Sequence, residues 1–325
     1  MDKIHSNRIG GGIMKFLVTG GAGFIGSNIA EELLKRKHRV RILDNFCTGK
    51  IEHIKPFLNK VELVRGDIQK EKDLKRALKG IDFVLHQAAL RSVPRSVDDP
   101  LSTNNVNITG TLKLLYHARE AKVKRVVYAS SSSAYGDSKE IPQKITQRPS
   151  PISPYAVSKL AAEYYCQVYA KTFGLETVSL RYFNVFGPRQ DPDSKYAAVI
   201  PKFIEWGFNG EPIEIHGDGK QSRDFTYIAN VVDANIRAAL TPGISGESFN
   251  VACGESHSVL AIARAVEKMI EKKLVLRHLP ARAGDVRRTW ADIIKTRKLL
   301  NYKPLIGFDE GMIKTVQWFK DTRGL

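Results

Sequence analysis

Cysteine is scarce in this chain. Its 325 residues include three, Cys47, Cys166 and Cys253, which lie far apart and form no C-x-x-C pair. The spacing therefore indicates neither a disulfide framework nor a thiolate metal site, and no metal is expected. We interpret the three as reduced side chains that mostly serve packing.

Long apolar runs are absent as well. No run approaches the ~18 residues that span a bilayer, and the N-terminus lacks the charged-then-apolar pattern of a secretory signal. We therefore expect a cytoplasmic protein without a membrane partner. Residues 1–13 show no periodicity and contain three consecutive glycines, so they are interpreted as a disordered extension or a cloning remnant.

Acidic residues are outnumbered by basic ones, 34 to 51, which gives a formal net charge of +17. The basic residues are spread along the whole chain and form no block or aromatic-interleaved patch, so nucleic acid is not an expected partner. A solvated basic surface accounts for the excess, and an anionic small substrate would also fit it.

The order of the apolar segments predicts the fold. Short β-branched runs alternate with longer amphipathic segments in the first half, which is the pattern of a parallel sheet wound with helices. After about Gly187 the alternation breaks, but a helix within 223–240 and a strand at 247–252 return to the first lobe. We predict an α/β fold, a Rossmann-type doubly wound parallel sheet with a smaller C-terminal substrate-binding lobe. Strands are predicted at 15–20, 39–44, 61–67, 82–89, 125–131 and 176–187, and helices at 26–37, 71–80, 107–122 and 155–174.

A glycine-rich turn follows the first predicted strand. Gly20, Gly23 and Gly26 stand at G-x-x-G-x-x-G spacing where a helix begins. Glycine allows the tight turn and the close approach of a phosphate, and a helix N-terminus offers free N–H groups to a pyrophosphate. A glycine triplet alone is weak evidence. Together with Asp44 at the end of the second strand it predicts a dinucleotide site of the Rossmann type.

Asp44 also indicates which dinucleotide is bound. Its carboxylate can accept hydrogen bonds from both hydroxyls of an adenosine ribose and would repel a 2′-phosphate, so NAD is favoured over NADP. Asp67, after the third strand, could reach the adenine amino group, and capping of the next helix is a nearly equal alternative.

The segment SPYAVSK places Tyr155 and Lys159 one turn apart on the same face of a predicted helix, with Ser153 as its N-cap. An ordinary tyrosine has a pKa of about 10, and a nearby ammonium and a cationic nicotinamide would both lower it towards working pH. Such a pair more often lies on a helix surface. Beside a Rossmann fingerprint and the serine-rich strand end YASSSSAYGD, it predicts proton transfer to or from a substrate oxygen.

Several segments together resemble the extended short-chain dehydrogenase/reductase superfamily, and more narrowly NAD-dependent UDP-sugar 4-epimerases of the type that act on N-acetylhexosamines. The resemblance implies a tightly held NAD⁺ and an isomerase that consumes no net redox equivalent. Tyr155 would take the proton of the sugar 4-OH as hydride leaves C4, and hydride would return to the opposite face of the 4-keto sugar. The segments are TGGAGFIG, SSSSAYG, YAVSK, HQAALRSVPRSVDDP, RYFNVFGPRQDPDSKYAAVIPKF and GDGKQSRDFTYI.

The resemblance also implies roles for individual residues. It makes Ser131 the catalytic hydroxyl, turns Ser132 and Ser133 towards the sugar, and places Asn107 beside the reacting groups, where it could also cap a helix start. Further cofactor contacts are expected at Phe24, Ile25, Asn45, Ile68, Ala88, Ala89, Asn107, Tyr155 and Lys159.

The NAD-binding lobe is predicted to comprise residues 14–186 and 223–251, and the UDP-sugar lobe residues 187–222 and 252–325. A small residue at Thr289, where galactose-specific relatives tend to carry tyrosine, would leave room for an N-acetyl group, although it could simply pack near Trp290. Asn184 could donate to a phosphate, and two arginines could neutralise the diphosphate. The expected substrate contacts are Asn184, Val199, Arg223, Arg282, Asp285 and Thr289.

Alternatives stay open on several points. UDP-glucose and UDP-glucuronate are alternative substrates, and Arg91 or Arg95 could meet the carboxylate of the latter. Dehydratases and decarboxylases carry acids where this chain has Ser132 and Ser133, which argues against both. A non-catalytic NAD sensor or nucleic-acid-binding module is the alternative from another class. Segments 107–122 and 155–174 resemble a four-helix dimer interface, so a homodimer is expected.

Overall fold

The computed structural model describes residues 12–192, 198–280 and 287–323. Within these ranges a parallel sheet of seven strands organises the chain. Its elements in chain order are β1 (Lys15–Thr19), α1 (Phe24–Lys35), β2 (Arg39–Asp44), β3 (Glu62–Arg65), α2 (Glu71–Leu78), β4 (Phe83–His86), α3 (Val93–Asp98), α4 (Pro100–Asn104), α5 (Thr111–Glu120), β5 (Arg125–Ser131), α6 (Pro154–Thr172), β6 (Glu176–Tyr182), β7 (Val185–Phe186), α7 (Val199–Asn209), β8 (Ile213–His216), β9 (Ser222–Arg223), β10 (Thr226–Tyr227), α8 (Ile228–Leu240), β11 (Glu247–Val251), β12 (His257–Ser258), α9 (Val259–Ile270), β13 (Leu276–Leu279), α10 (Ile294–Leu300) and α11 (Phe308–Arg323).

The strands of the large sheet lie in the order β3-β2-β1-β4-β5-β6-β11, and all neighbours run parallel. The order reverses between β1 and β4, which is where doubly wound sheets open a crevice for a ligand. The predicted fold class is therefore confirmed. The strand expected at 247–252 joins the sheet as β11, on its β6 edge.

Helices cover both faces of this sheet, so alternate strand residues enter different cores. Phe16 and Val18 of β1 pack in one cluster with Ile29 of α1, whereas Leu17 packs in the other with Leu74 of α2. All three β1 residues are fully buried. Burial on both faces explains why the strand reads as a continuous apolar run rather than an alternating one.

Two predicted elements differ from the structure. The strand expected at 176–187 ends at Tyr182 and resumes as β7, because Asn184 has a positive φ of 28° that turns the chain. The helix expected at 107–122 is regular only from Thr111, since a π-helical stretch, Asn105–Gly110, precedes α5. Wider turns of this kind tend to occur near functional sites.

The C-terminal part packs onto the same core as the sheet. Ile204 of α7, Val266 of α9 and Met312 of α11 belong to the cluster that contains Phe16. Strands β8 and β13 pair in parallel beside them. None of the helices in the described ranges has the length and apolar character needed to cross a membrane. The bounds of the two lobes stay a prediction, and the interpretation of residues 1–13 falls almost wholly outside the described residues.

Candidate active site

A cleft of about 730 Å³ opens at the carboxyl ends of β1, β2, β4, β5 and β6. It brings together residues predicted from distant parts of the sequence. Ser131 and Asn184 line it, and so do the expected cofactor contacts Gly20, Gly23, Phe24, Ile25, Gly26, Asp44, Asn45, Asp67, Ile68, Ala88, Ala89, Tyr155 and Lys159.

The glycine turn leaves no space for side chains. Gly20 has a φ of +66°, and a Cβ on it would lie 2.8 Å from the backbone nitrogen of Ala88. A Cβ on Gly26 would lie 2.2 Å from the carbonyl oxygen of Gly20, so helix and turn can approach this closely only with glycine. Gly23 precedes the first residue of α1, and the N-terminus of that helix faces the cleft. The turn therefore fits a pyrophosphate.

Asp44 is anchored at the wall of the cleft. Its two carboxylate oxygens accept from the backbone N–H groups of Ala22 and Phe46, both at 2.8 Å. Burial raises the pKa of Asp44, and these two hydrogen bonds oppose that rise. Each oxygen keeps further acceptor capacity, which suits the paired hydroxyls of a ribose.

Asp67 and Asn45 form a second polar pair on this wall. The Asn45 amide donates to Oδ2 of Asp67 at 2.9 Å, and Oδ1 of Asp67 accepts from the backbone of Gln69 at 2.8 Å. The N-cap of α2 is Lys70. The alternative that Asp67 caps this helix is therefore wrong, because its side chain closes a turn before the helix instead.

The structure brings Ser131, Tyr155 and Lys159 together. Ser153 caps α6 as predicted, its hydroxyl accepting from Ala156 N at 3.2 Å. The Ser131 hydroxyl lies close enough to the Tyr155 phenol to lower its pKa. Nζ of Lys159 lies 6.0 Å from the centre of the Tyr155 ring and donates to the carbonyl of Ala129 at 2.9 Å.

The charges at this site differ from the sequence-based expectation. Burial raises the pKa of Tyr155, while the Ser131 hydrogen bond and the charge of Arg91 lower it in part. Burial also lowers the pKa of Lys159 to about 7. The expected fall in the tyrosine pKa is therefore not produced by the lysine in the protein alone, because loss of solvent outweighs the nearby cations.

Ser132 and Ser133 directly follow Ser131 at the end of β5. Ser133 donates its hydroxyl to Ser131 at 2.8 Å, and Ser132 begins a short 3₁₀ turn. Asn107 is buried and does not line the cleft directly. Its amide accepts from Leu90 N at 2.8 Å and donates to Leu90 O at 3.0 Å, so it holds a cleft segment in place. It lies inside the π-helical stretch, so the idea that it caps a helix start is wrong.

A second cavity of about 340 Å³ adjoins the cleft and shares Asn184 with it. Val199, the first residue of α7, and Arg223 line this cavity. The Asn184 amide donates to the Asp224 carbonyl at 2.9 Å, so part of its donor capacity is already used. Thr289 donates its backbone N–H to Ser222, beside β9. The predicted contacts Arg282 and Asp285 lie outside the described residues.

Sequence reasoning missed some residues of the cleft. Arg91 was considered only as a partner for a substrate carboxylate, yet its charge acts on Tyr155. Lys50 and Asp191 also line the cleft and form an ion pair of 3.1 Å. Nothing in so basic a sequence distinguishes these cations from surface ones. Across the described ranges, no group of three or more His, Cys, Asp and Glu side chains could hold a metal ion.

Comparisons with known proteins agree with this site. The model of the NAD dependent epimerase/dehydratase family matches residues 16–252. The solved UDP-N-acetylglucosamine 4-epimerase from Methanobrevibacter ruminantium M1, in complex with UDP-N-acetylmuramic acid, is 39% identical with a TM-score of 0.91, covering 95% of this chain and 99% of that one.

Relatives named for other sugars are similar to almost the same degree. UDP-glucuronic acid 4-epimerase from Bacillus cereus, solved with UDP-glucuronic acid and NAD, is 35% identical with a TM-score of 0.88, covering 95% of this chain and all of that one. UDP-glucose 4-epimerase of Mycolicibacterium smegmatis is 37% identical over 95% of this chain and 99% of its own length. The chain therefore belongs to the NAD dependent epimerase/dehydratase family, and NAD is its cofactor.

Proposed function

We propose that this protein inverts C4 of a UDP-hexose, most specifically that it interconverts UDP-N-acetylglucosamine and UDP-N-acetylgalactosamine. The observation that carries the proposal is that Ser131, the half-buried Tyr155 and Lys159 line one cleft together, and that this cleft continues into a second cavity. One cavity is suited to the dinucleotide, and the other can take a second nucleotide.

The residues present fit NAD. The glycine turn would hold its pyrophosphate, Asp44 its adenosine ribose, and Lys159 the nicotinamide end of the cleft. Bound NAD⁺ would accept a hydride from C4 of the sugar and give it back to the other face. The protein's own part is the proton: Tyr155 takes it from the sugar 4-OH and later returns it, while Ser131 donates a hydrogen bond to the reacting oxygen.

The groups around Ser131 favour a reaction without elimination. Loss of water across C5 and C6 of a sugar needs an additional acid and base near the keto intermediate. Ser132 and Ser133 follow Ser131 directly, and the Ser133 hydroxyl bonds to Ser131. Serine hydroxyls cannot supply a carboxylate's chemistry, so these positions support epimerisation over dehydration.

Two observations bear on the sugar. Thr289 is small and would leave room for an N-acetyl group at C2, but room alone does not exclude UDP-glucose. A uronate would need a free cation near the sugar. Burial lowers the pKa of the Arg91 guanidinium, and the charge of Asp191 opposes that fall, so a substrate carboxylate at Arg91 would lie near a carboxylate that is already there. The N-acetylated sugar is therefore preferred in this proposal.

The decisive experiment compares UDP-N-acetylglucosamine, UDP-glucose and UDP-glucuronate side by side, with products identified by NMR and no NAD added. We expect fastest conversion of the N-acetylated sugar. Fast turnover of UDP-glucose with none of the N-acetylated sugar would overturn the specificity.

Tyr155→Phe provides the mechanistic test. It removes only the hydroxyl, so we expect turnover to fall by at least about a thousandfold while NAD remains bound. A variant that keeps its activity would disprove the role of Tyr155. If the wild type converts none of the three sugars and instead binds nucleic acid in a salt-dependent way, the non-catalytic alternative applies.

A further inference from the structure

Three successive residues at the end of β5 each interact with helix α6. The carbonyl of Ala129 accepts from Lys159 at 2.9 Å, and Ser131 lies close enough to Tyr155 to lower its pKa. Between them, Oγ of Ser130 donates to Oε2 of Glu163 at 2.6 Å. The strand end is therefore fastened to the helix that carries the tyrosine and lysine of the candidate active site.

The three partners on α6 are Tyr155, Lys159 and Glu163, each four residues from the next. This spacing places them along one face of the helix, one turn apart. Two of them belong to the proposed reaction. Glu163 is the third member of the row, yet it is fully buried behind the cleft and cannot reach a substrate.

Donors from three strands surround the Glu163 carboxylate. Arg181 of β6 donates through Nε at 3.0 Å and Nη2 at 2.8 Å, and Ser248 of β11 donates at 2.9 Å. Ser130 of β5 completes the set. A carboxylate with four donors and a paired charge is held rigidly, and breaking the ion pair from one side would leave a buried charge without a partner.

The direction of Ser131 depends on this anchor. Successive side chains of a strand point to opposite faces, so Ser130 is the last β5 side chain on the sheet face that α6 covers, whereas Ser131 reaches Tyr155 from the strand end, at the first turn of that helix. Its bond to Glu163 fixes the orientation of the peptide that leads to Ser131. A rotation there would move the Ser131 hydroxyl away from Tyr155.

We propose that Glu163 is a positioning residue for the reaction, acting through Ser130 to hold the Ser131 hydroxyl against Tyr155. This inference rests on the proposed function of the cleft. It assigns a role to a group that touches neither cofactor nor substrate.

Glu163→Gln is a poor test, because it would leave the Arg181 charge buried without a charged partner and would destabilise the fold. Ser130→Ala removes one hydrogen bond and keeps the ion pair. Ser248→Ala is the matched control, since it removes the other serine hydroxyl from the same carboxylate but lies on β11, away from Tyr155. Ser130→Thr restores a hydroxyl at the test position.

For Ser130→Ala we expect kcat to fall about tenfold with KM for the UDP-sugar unchanged, because only the alignment of reacting groups is lost. We also expect the pH–kcat profile of Ser130→Ala to shift to higher pH. The groups that face Tyr155 are Ser131, Arg91, Lys159 and Tyr128. Ser131 lowers the pKa of Tyr155, so displacing Ser131 should raise that pKa. Ser248→Ala should keep wild-type kcat and profile, and Ser130→Thr should recover most of kcat.

An unchanged kcat and pH profile in Ser130→Ala would overturn the inference, as would an equal fall in Ser248→Ala. Failure of the proposed function gives a different result, because the wild type itself would then convert no UDP-sugar. In that case the titration of Tyr155 is measured in place of kcat. Its phenolate absorbance is obtained by subtracting the absorbance of Tyr155→Phe at each pH. It should titrate at higher pH in Ser130→Ala than in the wild type, and equal titration would refute the positioning role.

Discussion

Lys159 is the residue whose properties depend most on the fold. Its ammonium is almost completely buried, lies 5.1 Å from the centre of the Tyr128 ring, and donates to the Ala129 carbonyl. One neutral acceptor and an aromatic face do not replace the water that a charged amine loses. This is why its pKa falls to about 7, and the protein holds the amine there at a cost in stability.

Lys159→Met should therefore show a pH-dependent gain in stability. The folded pKa lies below the usual lysine value, so the unfolded chain binds more protons between about pH 7 and pH 10, and wild-type stability rises with pH in that interval. Methionine binds no proton. The stability of the variant relative to wild type should be greatest at about pH 6 and about 2–3 kcal/mol smaller at pH 9.

Urea unfolding at several pH values measures the difference in the free energy of unfolding between Lys159→Met and wild type. Because only the change of this difference with pH is compared, a constant contribution from bound NAD cancels. Lys113→Met is the control, because Lys113 also donates to a backbone carbonyl at 2.9 Å but from a half-buried position. A stability difference that does not vary with pH would contradict the prediction.

For single residues, the sequence predicts which side chains line the cleft better than it predicts their pKa values and hydrogen-bond partners. Gly26, Asp44 and Tyr155 belong to local patterns whose spacing reflects one turn or one helix, so they could be located from the chain alone. The pKa of Lys159 and the contact of Asn107 with Leu90 depend on groups that only the folded chain brings together.

Among the elements, those with local signals follow prediction. Helix α6 begins where Ser153 and Pro154 indicate, because the cap and the first-turn proline act within three residues. The π-helical stretch Asn105–Gly110 was not predicted. Asn107 inside it bonds to Leu90, 17 residues away, and to Ser158, 51 residues away, so its cause lies outside any local window.

Two loops meet across the cleft mouth. Lys50 follows β2 and Asp191 follows β7, and their side chains pair at 3.1 Å while both line the cleft. The loop of Lys50 also contacts the glycine turn, because Lys50 N and Nδ1 of His53 both bond to the Ala22 carbonyl. The ion pair therefore joins the cofactor side of the cleft to the loop before α7.

Lys50→Ala should accelerate the release of NAD. A partly exposed ion pair stabilises by about 0.2–1 kcal/mol, so the dissociation rate should rise about two- to fivefold, and high salt should bring wild type close to the variant. Displacement of bound NAD by a fluorescent analogue measures the rate. Lys314→Ala removes a similarly exposed pair, 3.4 Å long, from α11 and should leave the rate unchanged. Equal rates of NAD release from Lys50→Ala and wild type would show that the ion pair does not slow this release.

At the scale of the whole molecule, the sheet and the C-terminal part form a continuous core. Tyr302 and Phe308 near the end of the chain pack in the same cluster as Phe16 in the first strand. Packing of this kind is set by complementary shapes of distant segments, which the pattern of any single segment does not encode. The sequence therefore predicted two lobes but not their common interior.

The outer face of α6 carries apolar side chains that the core does not cover. Tyr164 is 47% exposed and Val168 44%, and Leu101 of the adjacent α4 is 75% exposed. The opposite face of the same helix holds Lys159 and Glu163 in the interior. Large apolar side chains grouped on one surface favour burial against a partner, which supports the expected homodimer through α6 and its neighbours.

Val168→Glu tests that expectation. A carboxylate in the centre of an apolar interface would lose its hydration without gaining a partner, so we expect the variant to sediment as a monomer where the wild type sediments as a dimer. Ile313→Glu is the matched control, since Ile313 is 57% exposed on α11, away from this surface, and should stay dimeric. Monomeric wild type at micromolar concentration would contradict the prediction. Loss of the apolar interface should also lower the melting temperature of Val168→Glu more than that of the control.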